Sequence, residues 1–163
     1  MDNSASVSRL LAISICLSSC ASTAPVTSSS TPAKAVTISR FGPVAPGNAP
    51  GQSLYLVRYE IAPGIRLPPH HHEGTQIGLV QSGKLTYHVL TGHVPVYRNG
   101  ADGAAILERT LTAGSVATVS AGEWLVEEPD DHHWGANEGM EPLVIYTSSL
   151  LREGAPLATP DPP

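Results

Sequence analysis

Apolar and polar residues alternate through the middle of the chain in short runs, and none keeps the three-to-four-residue spacing of an amphipathic helix. "SLYLVRYEI" (Ser53–Ile61) sets Leu54, Leu56 and Arg58 against Tyr55, Val57 and Tyr59, so either face suits a half-buried strand. "IGLV" (Ile77–Val80) is short and apolar and stops at "QSG". "KLTYHVL" (Lys84–Leu90) puts Leu85, Tyr87 and Val89 on one side, with Thr86, His88 and Leu90 on the other. "AILERTL" (Ala105–Leu111), "SVATVS" (Ser115–Ser120), "EWLVEE" (Glu123–Glu128) and "PLVIYTSSL" (Pro142–Leu150) complete the set. Turn punctuation separates them: "PG", "SGK", "TGH", "NGADG", "TAG", "SAG" and "NEG". Short strands between Gly-containing turns predict an all-β sandwich or barrel.

The two ends read differently. Residues 20–40 are rich in Ser, Thr, Ala and Pro, and predict a flexible tether, because such a stretch buries too little surface to offset its ordering entropy. Residues 157–163, "LATPDPP", predict a disordered tail, and residues 41–156 are expected to form the one folded domain. Before the tether, Arg9 precedes an apolar run from Leu10 to Leu17, too short to span a bilayer but long enough for a signal-peptide core. The run ends in "LSSC", which resembles the lipobox of bacterial lipoproteins. That resemblance implies a signal peptide over residues 1–19, lipidation of Cys20 as the mature N-terminus, and export to the periplasmic side of the cell envelope. Ala21 after the cysteine favours the outer membrane. Ordinary signal cleavage near "STA" and a disordered cytosolic tail are the alternatives; acyl labelling abolished by Cys20→Ser separates lipidation from both.

Composition narrows the partners. The net charge is −5 and no Lys/Arg cluster occurs, which argues against nucleic acid and leaves a lipid anchor as the one route to a membrane. One Phe, two Trp and five Tyr are too few for a base-stacking platform. Both cysteines, Cys16 and Cys20, precede the folded region, so its core must hold without disulfides.

The candidate chemistry lies in "LPPHHHEGTQIG" (Leu67–Gly78) and "EEPDDHHWGANEG" (Glu127–Gly139). The "PP" pair favours extended backbone, and alternation then sets His70 and His72 on one face with His71 and Glu73 on the other. Gln76, beyond a small "GT" step, can return toward His70 and His72. In the second stretch "PDD" reads as a turn feeding a strand, and one of His132 and His133 should face inward. Histidine is the commonest metal ligand, but two on one strand rarely suffice.

These two stretches resemble the paired motifs of the cupin family. The first motif, G-x5-H-x-H-x(3,4)-E-x6-G, is matched by Gly64, His70, His72, Gln76 and Gly83, with Gln76 where the family usually has glutamate. The second, G-x5-P-x-G-x2-H-x3-N, is matched from Gly122 through His133 to Asn137, with Glu128 in the proline place and Asp130 in the glycine place. The resemblance implies a single-domain, jelly-roll-like β-barrel in which His70, His72, Gln76 and His133 converge on one divalent transition metal, and His132 faces outward like His71. Fe, Mn, Ni, Cu and Zn all accept such donors. Whether Gln76 ligates directly stays open; an amide in place of a carboxylate would leave the ion's full charge on the site.

The function implied is a metal-dependent enzyme of dioxygenase or isomerase type acting on a small organic substrate, with no residue singled out as catalytic. The alternative is a non-catalytic module that captures a small molecule or metal at the cell envelope. A homodimer is also expected from the family. The acidic run Glu127, Glu128, Asp130 and Asp131 reads as a solvated rim, His93 as an exposed loop residue, and His88 as either pocket or exterior. Trp124, Trp134 and Tyr87 are read as core or pocket walls.

Overall fold

Alternation is what builds the two sheets. The computed structural model describes residues 35–162, and no helix occurs among them. Its strands are β1 (Val36–Val44), β2 (Gln52–Ile61), β3 (His70–His71), β4 (Gly74–Ser82), β5 (Lys84–Val89) and β6 (His93–Asn99). They continue with β7 (Ala105–Thr112), β8 (Val116–Ser120), β9 (Glu123–Glu127), β10 (His133–Ala136), β11 (Leu143–Arg152) and β12 (Thr159–Pro160). One sheet runs β1-β2-β11-β4-β9-β6-β7 and the other β12-β3-β10-β5-β8, with every strand pair antiparallel. The fold is an all-β barrel of two sheets, of jelly-roll type.

The core lies between the sheets. Ile61, Val80, Leu125, Leu143 and Ile145 from the larger sheet pack with Leu85, Tyr87, Val89 and Val119 from the smaller one. The ambiguity in β2 resolves toward its Tyr55, Val57 and Ile61 face, which is buried, while Leu54 and Leu56 are exposed. At roughly 25 cal/mol per Å² of apolar surface, each such Val, Leu or Ile contributes about 1.5–3 kcal/mol. Close packing at the motif end depends on Gly74: a Cβ there would run into the backbone of Leu150 and Leu151 on β11.

Both ends of the domain differ from expectation. Strand β1 begins at Val36, inside the stretch read as tether, and pairs with β2 from Val36↔Ile61 to Val44↔Leu54. Its side chains are largely exposed, so its Ser/Thr-rich approach gave no burial pattern to read. The C-terminal residues read as a disordered tail instead place β12 against β3, Thr159↔His71 and Pro160↔His70. Proline is tolerated there because β12 is an edge strand. Strand β6 was also missed, since Pro95 interrupts its pattern. Pro95 lies opposite Thr110 in the pairing with β7, while the pairing with β9 covers only Val96–Arg98 and leaves Pro95 out. The signal-peptide stretch and Cys20 lie outside the described residues.

Candidate metal centre

The centre is assembled by strand register. His133 on β10 lies opposite His70 on β3, and alternation brings His72 to the same face two residues on. One ring nitrogen from each of His70, His72 and His133 lies within 4.8 Å of the others. His72 and His133 are buried, and His70 half-buried. The three rings stand 4.5–5.2 Å apart, centroid to centroid.

The tautomer of each ring is fixed by what its other nitrogen touches. His70 Nδ1 lies 2.8 Å from the Pro68 carbonyl, His72 Nδ1 2.7 Å from the Leu157 carbonyl, and His133 Nδ1 2.9 Å from the Asp131 carbonyl. A carbonyl oxygen has no hydrogen to give, so each Nδ1 must be the donor. In the neutral ring the Nε2 lone pair is then free to ligate. Burial, with the adjacent charge of His133, pushes the His70 pKa down to about 4, so this ring is neutral at neutral pH.

Glu127 completes the cluster. It sits on β9 directly across from Gln76 on β4 and is buried, not part of a solvated rim. Its Oε1 lies 3.2 Å from His133 Nε2 and its Oε2 3.4 Å from His72 Nε2. The Tyr87 hydroxyl donates to Oε1 at 2.7 Å, and the Gln76 amide NH2 donates to Oε2 at 2.7 Å. Burial acts to raise the Glu127 carboxyl, but the charges of His133 and His72 and the His72 and Tyr87 hydrogen bonds outweigh it. They hold the group well below the usual carboxylate range. Burial disfavours the charged form of His72, yet the bond and charge of Glu127 raise its pKa. Burial above all keeps the Tyr87 phenol protonated, and it pushes that of Tyr59 up to about 12.

Gln76 is brought to the centre but turned. Its Oε1 accepts from Ser149 Oγ at 2.6 Å, while its Nε2 lies 3.1 Å from His72 Nε2. The carbonyl oxygen that would ligate a metal is therefore committed to β11, and the carboxylate missing at Gln76 arrives from its cross-strand partner. This revises the expectation of an uncompensated ion. The signal that could have found Glu127 is the alternation in "EWLVE", which puts it on the buried face of Leu125, although the acidic run around it reads as a rim.

The donor set fits a divalent cation on its own chemistry. The His72 and His133 ring nitrogens lie against the Glu127 carboxylate with His70 beside them, and a divalent cation can take the place of the protons that otherwise lie between them. Imidazole nitrogen with carboxylate oxygen suits the transition metals named above.

Other predicted residues take structural places. His71 and His132 do point away from this centre. His88 stacks on Trp134 with ring centroids 3.4 Å apart, and the Arg66 guanidinium covers the same indole, so neither ring lines the cavity. Trp124 stacks on Tyr97, away from the centre. Asp131 is buried and accepts from the amides of His93 and Glu128, which fixes the turn before His133. Asn137 is buried and pins the following loop through the Ile61 and Glu141 carbonyls. Glu128 accepts from the Thr75 hydroxyl.

A cavity of about 320 Å³ opens beside the three histidines. Apart from Tyr59 and Thr147, its polar lining is the centre itself; the rest is apolar, including Ile61, Val80 and Leu125. Ala158 and Pro160 of the C-terminal segment form part of its wall.

No protein-family model matches the chain, and no curated protein matches it significantly. Solved structures do resemble it. A cupin superfamily protein from Desulfitobacterium hafniense aligns with a TM-score of 0.45 at 10% identity, over 71% of this chain and 78% of that one. The chain resembles a cupin superfamily protein of known structure. An oxalate oxidase in complex with the substrate analogue glycolate aligns with a TM-score of 0.46 at 28% identity, over 74% of this chain and 52% of that one. A salicylate 1,2-dioxygenase from Pseudoaminobacter salicylatoxidans in complex with gentisate gives 0.48 at 12% identity, over 73% of this chain and 26% of that one. The chain thus spans about half of the oxidase and a quarter of the dioxygenase.

Proposed function

We propose that the chain is a metal-binding cupin that holds one divalent transition metal through Nε2 of His70, His72 and His133, with a small organic molecule in the adjoining cavity. The observation that carries this reading is the set of three Nδ1-to-carbonyl contacts, which aims three Nε2 atoms at one another. In this reading Glu127 supplies the negative charge that Gln76 lacks, and Gln76 and Tyr87 orient its two oxygens.

A metal bound there polarises a carbonyl or enolate oxygen, or activates dioxygen if it is Fe, Cu or Ni. The chain's own residues do the rest. The apolar wall excludes water and selects a substrate with a carbon framework and one or two oxygen donors. That chemistry suits an enol, diketone, phenol or sugar-like acid, and a dioxygenase- or isomerase-type reaction. Capture without turnover is the second reading, favoured by a cavity that offers few polar groups beyond the centre.

The experiment is turnover, followed by oxygen uptake and product analysis, on a panel of those four substrate classes after loading with each metal in turn. The enzymatic reading expects turnover by the wild type that His70→Ala/His72→Ala abolishes. A ligand bound by the wild type under air with no turnover across all metals contradicts it and supports the capture reading. The proposed setting, a lipid-anchored chain on the periplasmic side, rests on the N-terminal sequence alone.

A further inference from the structure

The register that turns His70, His72 and His133 inward must bring their outward neighbours together. His71 on β3 and His132 beside β10 meet on the opposite face, with ring centroids 4.6 Å apart. The third member arrives from the far end of the chain: β12 pairs with β3, the Asp161 amide donates to the Pro69 carbonyl at 3.1 Å, and the Asp161 carboxylate faces both rings. His71 Nδ1 and His132 Nδ1 lie 2.9 and 2.8 Å from the same oxygen, Asp161 Oδ1.

We propose that His71, His132 and Asp161 form a second divalent-cation site, distinct from the interior centre, and that an ion bound there latches the C-terminal segment against the cavity. Two imidazoles and one carboxylate are the donor types zinc takes in open sites. A tetrahedral ion with bonds of about 2.0–2.1 Å separates its donors by roughly 3.3 Å, so these need to spread by about half an ångström, and each ring must shift its Nδ1 proton to Nε2 so that the Nδ1 lone pair can ligate. Two-residue β12 is paired on one side only, so a shift of that size breaks no second ladder. The side chains of His71, His132 and Asp161 retain 23%, 35% and 10% exposure, which leaves a side open for water as the remaining ligand. One carboxylate and two neutral rings set a charge of minus one against a divalent ion.

The consequence reaches the cavity, because the latched segment carries groups of the interior. Leu157 offers the carbonyl that fixes the His72 tautomer, and Ala158 and Pro160 are cavity wall. The outer ion would hold these in place without touching the inner one.

The test is zinc binding by equilibrium dialysis and elemental analysis on the untagged full chain carrying Cys16→Ser/Cys20→Ser, so that the thiols do not count. The parent should bind one more zinc per chain than the His71→Gln/His132→Gln/Asp161→Asn variant. The His70→Ala/His72→Ala/His133→Ala variant should keep that outer zinc, which separates failure of the two sites. Asp161→Asn alone, which removes the charge with little change in shape, should weaken the outer zinc at least tenfold while the circular dichroism stays that of the parent. Zinc should also slow amide exchange over residues 157–161 in the parent and not in Asp161→Asn. Equal zinc content in the parent and the outer-site variants overturns the site; unchanged exchange on saturation overturns the latch.

Discussion

Glu127 and Gln76 share one task between two strands. A carboxylate buried as fully as Glu127 costs several kcal/mol unless paired, and its partners here are His72, His133, Tyr87 and Gln76. The exchange can be tested at Gln76, because Gln76→Glu would set two carboxylates side by side at paired positions. At an effective dielectric near 20, two charges about 3 Å apart repel by roughly 5 kcal/mol, which protonation of one relieves only in part. Gln76→Glu should lower the metal-free Tm by on the order of 5 °C. It should also give a larger metal-induced rise in Tm than the wild type. An unchanged metal-free Tm would show that the two groups do not share the space. At this scale the histidines were legible because alternation is strict in extended backbone, and Gln76 because its spacing matches a motif. Glu127 was not, because its neighbours in the acidic run hid its place on the buried face.

Among the elements, the C-terminal segment carries more than its sequence shows. "LATPDPP" has no alternation and three prolines, so neither periodicity nor propensity marks it. It is held by partners that come from the tertiary fold: the β3 edge, His72 Nδ1 and the Pro69 carbonyl. Deleting residues 157–163 should weaken interior metal binding about 10- to 100-fold, the usual effect of losing a group that orients a histidine ligand. Titration with the metal that the wild type retains measures it; unchanged affinity would show that the Leu157 contact is idle. The strands with clear alternation, such as β5, followed their pattern closely, whereas β1 and β6 escaped through exposure and through Pro95.

A second clip at this scale joins the sheets. Arg109 on β7 pairs with Glu123 on β9, and its Nη2 donates to the Thr118 carbonyl on β8 at 2.8 Å. The hydrogen bond from Arg109 chiefly lowers the Glu123 pKa from 4.5. A lowered carboxyl adds stability that is fully present above its unfolded pKa and lost as pH falls through its folded one. Glu123→Gln should therefore cost about 1 kcal/mol at pH 7. In urea titrations at stepped pH, the gap to the wild type should begin to narrow as pH falls below about 4.5 and close further down, below the lowered value. A gap that does not narrow at all as pH falls from about 7 to about 2 would assign the loss to packing instead.

At the scale of the molecule, two antiparallel sheets close over one cavity, and the metal candidates sit where β3, β10, β4 and β9 supply them to it. That architecture was readable as all-β from short strands and turn glycines, and the site from two motifs in the right order. The ends were not, because edge strands with exposed side chains carry little pattern. The central claim is that His70, His72 and His133 hold one ion, and elemental analysis of the untagged chain tests it most directly. The measurement is made in the Cys16→Ser/Cys20→Ser/His71→Gln/His132→Gln/Asp161→Asn background, before and after anaerobic reconstitution with Fe, Mn, Ni, Cu or Zn. One ion per chain, lost on adding His70→Ala/His72→Ala/His133→Ala, is the predicted result. No stoichiometric ion with any of the five metals, or an ion retained without those histidines, would contradict it.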